Sequence, residues 1–122
     1  VKVAGLGFRS GATLEALREV LHLAEAQGGP VDALACLPAK ACASALQRLA
    51  TERGVPVLAV SVEGVATPTQ SARIMAMHGT GSVAEAAALV AAGGRARLIV
   101  ARLSAPDGMA TCAMAISEGD ME

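Results

Sequence analysis

The residues of this 122-residue chain that could do chemistry stand in short polar breaks between long apolar runs. Arg9 and Ser10 follow Gly5-Leu6-Gly7-Phe8, and a guanidinium beside the free N–H groups that open a helix makes a pocket for a carboxylate or phosphate; a solvated arginine fits the same loop position equally well. Lys40 follows Leu37-Pro38, Thr69 and Ser71 lie in Pro68-Thr69-Gln70-Ser71, and Arg102 closes a later apolar run. In Gly79-Thr80-Gly81-Ser82 two glycines flank a hydroxyl ahead of a helix, so backbone donors can face an oxyanion; a plain helix-to-helix turn reads the same way. Arg9, Lys40, and Thr69 with Ser71 each follow an expected strand end and Arg102 stands at one, and open α/β sheets gather ligands beyond the carboxyl ends of their strands. The chemistry these residue types offer is anion binding at one rim, with Gly79 to Ser82 closing over it.

Other templates fail on spacing. Gly5-x-Gly7 stands where a dinucleotide fingerprint would, but the third glycine is Gly11, one place late, and the next strand ends in Leu37-Pro38 with no acid for a ribose. Ser82 and Glu85 have capping-box spacing, which explains both without a substrate; the competing reading makes Glu85 catalytic, with Ser71 or Thr69 assisting. His22 and His78 lack metal partners at usable spacing, and no Ser/His/Asp order, H-E-x-x-H or phosphate-gripping glycine loop occurs. No metal site and no cofactor are expected. Cys36, Cys42 and Cys112 are odd in number and lack CxxC spacing, so they are read as buried thiols rather than a disulfide or zinc framework. Met75 and Met77 are read as core or rim packing.

The elements that must position these residues follow from punctuation and period. Strands are expected at 1–6, 31–37, 57–62, 97–103 and 109–117, and helices from about Leu14 to Gln27, Ala41 to Arg53, Ala72 to His78 and Val83 to Ala92. Pro106-Asp107-Gly108 is a hairpin signal, so the last two strands should be antiparallel. The predicted fold is α/β: a three-layer sandwich with a mostly parallel sheet and an antiparallel C-terminal hairpin. Residues 1–117 are expected to form one domain, followed by an acidic tail at 118–122. With 53% hydrophobic residues and Phe8 the sole aromatic, the layers must pack through Ala, Val and Leu. A net charge of −1 without basic runs, together with the missing aromatic platform, argues against nucleic-acid binding. No apolar run is long enough to span a bilayer and no signal-peptide pattern opens the chain, so a cytoplasmic protein is expected.

Gly5-Leu-Gly-Phe-Arg9, Lys40, Pro68-Thr-Gln-Ser71, Gly79-Thr-Gly-Ser-Val-Ala-Glu-Ala-Ala-Ala-Leu89 and the closing Ala110-Thr-Cys-Ala-Met-Ala115 together resemble the CobE/CbiG C-terminal family of cobalamin biosynthesis. The resemblance covers nearly the whole chain and implies a part in corrin-ring synthesis. Larger CbiG-type members carry N-terminal regions missing here and open the lactone of a cobalt-precorrin, so this sequence is similar to the stand-alone CobE type. Where related sequences usually carry a lysine after the fourth strand, Arg102 keeps the charge but offers no Schiff-base amine. Corrin precursors bear acetate and propionate groups around an apolar ring. The resemblance therefore implies that Arg9, Lys40 and Arg102 meet carboxylates while Leu6 and Phe8 meet the ring, with Gly5, Gly7, Ser10, Thr69, Ser71, Gly79, Thr80, Gly81 and Ser82 supplying further contacts. Three functions stay open: binding of a precorrin or corrinoid; a ring-modifying step related to cobalt-precorrin-5A hydrolase; and an accessory carrier that docks on precorrin methyltransferases.

Overall fold

The computed structural model describes residues 1–117, with His78 described by its backbone alone; the acidic tail at 118–122 lies outside the described residues. The order is β1 (Lys2–Phe8), α1 (Leu14–Gly28), β2 (Ala33–Cys36), a 3₁₀ turn (Pro38–Lys40), α2 (Ser44–Arg53), β3 (Val57–Ala59), α3 (Ala72–His78), α4 (Val83–Ala92), β4 (Ala96–Ser104) and β5 (Ala110–Ser117). One five-stranded sheet forms in the order β3-β2-β1-β5-β4. β1, β2 and β3 are parallel neighbours, while β5 lies antiparallel between β1 and β4. Four strands therefore deliver their carboxyl ends to one rim, and β5 begins there.

Strand alternation sorts the core into two layers. Ala4 and Leu6 of β1 with Cys112 and Met114 of β5 face α1 and α2, packing on Leu17, Val20, Leu21, Leu46 and Leu49. Val3 and Ala115 face the other way, onto Ala86, Ala87, Ala88 and Ala92 of α4. The alanine-rich helix lies so close to β1 that a β-carbon on Gly5 would stand 2.0 Å from the Ala84 carbonyl oxygen. That close approach is why this position has no side chain.

Several boundaries depart from expectation. β2 and β3 share only three register pairs, from Leu34↔Val57 to Cys36↔Ala59, and after the Val60 N–H reaches the Cys36 carbonyl the chain turns at Val62 to Val65. Helix α2 starts at Ser44 rather than 41, because the 3₁₀ turn and its Ala43 N–H to Lys40 carbonyl bond occupy the intervening residues. Cys36 and Cys112 are buried as expected, but Cys42, in that turn, is exposed. No helix among the described residues is long and apolar enough to cross a membrane.

Candidate functional site

A cleft of about 580 Å³ opens at the carboxyl rim. Arg9 enters from the β1–α1 connection, Lys40 from the 3₁₀ turn after β2, Arg73 from α3 and Arg102 from β4. Ser10, Ser71, Ser104 and Thr111 add hydroxyls, while Leu6, Phe8, Ile74, Met77 and Val83 are among its apolar lining. Among the described residues no Asp or Glu lines it. Four cations in one concavity repel one another unless a counter-ion is present, so the cleft is electrostatically suited to a ligand with several negative groups.

Local bonding fixes the backbone that carries these side chains. The Arg9 N–H donates to the Met109 carbonyl at 2.9 Å, tying the first loop to the β4–β5 hairpin, and the Ala12 N–H turns back onto the Arg9 carbonyl. Thr13 then caps α1 by accepting from the Ala16 N–H at 3.1 Å. The Lys40 ammonium lies 5.3 Å from the Phe8 ring centroid, within cation–π range. Phe8 thus helps to hold a cation beside the apolar floor. The Thr111 hydroxyl donates to the Gly7 carbonyl at 3.2 Å, and a β-carbon on Gly7 would meet that hydroxyl at 2.9 Å. Ser71 caps α3, its oxygen accepting from the Ile74 N–H at 3.3 Å, and so orients the helix that presents Arg73.

Of the residues singled out from the sequence, Gly7, Phe8, Arg9, Ser10, Lys40, Ser71 and Arg102 line this cleft, and Gly5, Thr69, Gly79, Thr80, Gly81, Ser82 and Glu85 do not. Gly5 lies beneath α4. The turn at 79–82 is packed under the 61–71 connection rather than over the rim: Thr80 and Ser82 are fully buried, the Thr80 hydroxyl donates to the Val65 carbonyl at 2.5 Å, and the Ser71 N–H donates to the Gly81 carbonyl at 2.9 Å. A β-carbon on Gly81 would stand 2.5 Å from the Thr69 carbonyl oxygen, so the glycine serves this close packing.

The capping box is present in one direction only. Ser82 accepts from the Glu85 N–H at 3.3 Å, but the Glu85 carboxylate turns away from Ser82 and takes the Thr69 N–H and hydroxyl and the Arg102 N–H. Three tertiary donors outcompete the local bond that the spacing suggested. Reading the sequence missed Arg73, Ser104 and Thr111; for Arg73 the available signal was its place two residues beyond Ser71. Among the described residues no group of three or more His, Cys, Asp or Glu is placed to hold a metal.

The family model described as "Cobalamin synthesis G C-terminus" matches residues 2–115. The crystal structure of CobE, a protein from the cobalamin (vitamin B12) biosynthetic pathway, is similar at TM-score 0.80 and 36% identity, over 94% of this chain and 89% of that one. Cobalamin biosynthesis protein chiG from Agrobacterium tumefaciens is similar at TM-score 0.75 and 38% identity, over 98% of this chain and all of that one (100%). A cobalamin biosynthesis protein G homolog from Sulfolobus solfataricus shares the fold at TM-score 0.71 and 19% identity, and this chain covers 37% of it. Comparison with curated proteins yields no match.

Proposed function

Because the chain belongs to the cobalamin synthesis G C-terminus family, and so takes part in cobalamin biosynthesis, we propose that its rim cleft binds a carboxylated precorrin or related corrinoid intermediate. The observation that carries the reading is the lining itself: Arg9, Lys40, Arg73 and Arg102 around an apolar floor, with no acid among the described residues that line it. Corrin precursors present the complementary pattern, carboxylates at the periphery of an apolar ring. The three guanidinium groups can each grip a carboxylate through two parallel N–H bonds, whereas Lys40 acts as a point charge.

The volume lies inside the range of about 300–1,000 Å³ typical of sites for drug-sized ligands, and a tetrapyrrole is larger than such a ligand. The ring is therefore held along part of its edge, and the rest stays open to solvent or to another pathway enzyme such as a precorrin methyltransferase. Residues 1–117 act in this reading as one domain. Holding is favoured over ring chemistry because Glu85, the one acid named from the sequence, is buried against Thr69 and Arg102, and the Thr69 hydroxyl donates to it, while Ser71, which does line the cleft, caps α3. General acid–base catalysis needs a group within hydrogen-bond reach of the reacting atom.

The test is a visible-absorbance titration with cobyrinic acid, a corrin that carries its side chains as free carboxylates. The expected result is a saturable change at micromolar concentration that weakens with added salt and in Arg9→Ala or Lys40→Ala. No change, or an Arg9→Ala titration that overlays the native one, contradicts the reading. A precorrin recovered with altered mass would favour the ring-modifying enzyme instead.

A further inference from the structure

Glu85 is fully buried, and a carboxylate withdrawn from water needs donors for both of its oxygens. Those donors come from two segments that lead into separate walls of the cleft. Oε1 accepts the Thr69 N–H at 2.9 Å, and Oε2 accepts the Thr69 hydroxyl at 2.7 Å and the Arg102 N–H at 2.9 Å. Thr69 lies two residues before Ser71, the cap of the helix that brings Arg73 to the rim. On the other side, β4 pairs with β5 at Val100↔Met114 and again at Leu103↔Cys112, so Ala101 and Arg102 together oppose Ala113. Such a bulge bends a strand and re-aims its side chains. At this bulge the Arg102 N–H goes to Glu85.

We infer that Glu85 is a positioning residue for the cleft: its carboxylate clamps the wall that carries Ser71 and Arg73 to the bulge that carries Arg102, and so sets the spacing at which those two cations meet a bound polyanion. The inference rests on the binding role proposed above. A carboxylate is the group the geometry requires. Each oxygen faces a backbone N–H, which can only donate, whereas an amide has a single oxygen and in either orientation sets its NH₂ against one of the two N–H groups. Aspartate is shorter by a methylene and cannot reach both walls from the same helical position.

A double-mutant cycle tests this, because groups that act through each other are non-additive. Cobyrinic acid affinity is measured in chains shown by circular dichroism to be fully folded at the assay temperature. Glu85→Gln is expected to raise Kd about tenfold in the native chain and in Arg9→Ala, but about twofold or less in Arg102→Ala, where the cation it positions is gone. An equal loss in all three backgrounds, or no loss in any, overturns the inference. If Glu85→Gln does not fold, Thr69→Val, which removes one donor and leaves both backbone N–H groups, takes its place with an expected change of about threefold and the same dependence on Arg102. If the native chain takes up no cobyrinic acid, the corrinoid reading fails by itself and the clamp is judged by amide hydrogen exchange. The Arg102 amide then exchanges roughly tenfold faster in the variant that folds, while Leu34, bonded to the Pro56 carbonyl, does not change. Unchanged exchange at Arg102 overturns the clamp.

Discussion

Gly5→Ala distinguishes a glycine that faces a ligand from one that faces a helix. Gly5 pairs with Ala35 on one side and Ala113 on the other, and its added β-carbon would stand 2.0 Å from the Ala84 oxygen, 2.6 Å from the Ala88 nitrogen and 3.0 Å from the Ala88 β-carbon. Ordinary contact begins at 3.4 Å, so α4 must retreat by more than an ångström, and two of the three obstacles are helix backbone that no rotamer change can clear. The retreat also loosens Ala87 and Ala88 from Val3 and Ala115. Overpacking that side chains can absorb costs about 1–3 kcal/mol, and a shift of backbone puts this substitution at the top of that range, about 3 kcal/mol. In a domain of this size each kcal/mol moves the melting temperature by about 3–6 °C, so a fall of about 10–15 °C is expected. Gly94→Ala, with no atom within 4 Å and no positive φ, is the matched control and should stay within about 0.5 kcal/mol. Thermal and urea unfolding followed by circular dichroism read both. A Gly5→Ala chain that melts within about 2 °C of the native one refutes the packing argument, and lost corrin binding at unchanged stability would return Gly5 to the ligand.

Exposed Cys42 is expected to be the single thiol that reacts rapidly with a disulfide reagent in the native chain, a reaction abolished in Cys42→Ser; a fast second thiol contradicts the burial of Cys36 and Cys112. Burial pushes the Cys36 thiol from about 9 up to about 11, with a smaller contribution from Cys42, and pushes Cys112 well above the usual thiol range. The native state then keeps protons that the unfolded chain releases, so stability should fall as pH rises from about 9 toward 11 and fall less in Cys36→Ala, as melting scans across that window will show. Ser82→Ala removes the cap of α4 and should cost about 1 kcal/mol in urea unfolding.

Much of the scaffold was legible because each element carries its own punctuation. Gly28-Gly29-Pro30, Gly54, Gly79 and Gly93-Gly94 end helices, Pro106-Asp107-Gly108 turns the hairpin, and the alanine run at 84–92 requires a close layer. What escaped depends on contacts distant in sequence. Glu85 reads as half of a capping box because Ser82 is three residues away, while the donors that win it come from Thr69 and Arg102, 16 and 17 residues away. Arg73 looks like an ordinary exposed helix residue until α3 is seen to border the cleft. Gly79 to Ser82 offers the composition of an anion-binding turn, but the 61–71 connection covers it, and a linear pattern does not record which of two neighbouring loops lies on top.

A crystal structure of the protein with cobyrinic acid would decide whether Arg9, Lys40, Arg73 and Arg102 form one receptor for a carboxylated corrin, as proposed above. The expected result is a ring seated against Leu6 and Phe8 with its carboxylates within hydrogen-bond distance of at least two of those cations. A ring bound elsewhere on the molecule, or an empty rim in crystals saturated with the acid, would contradict it.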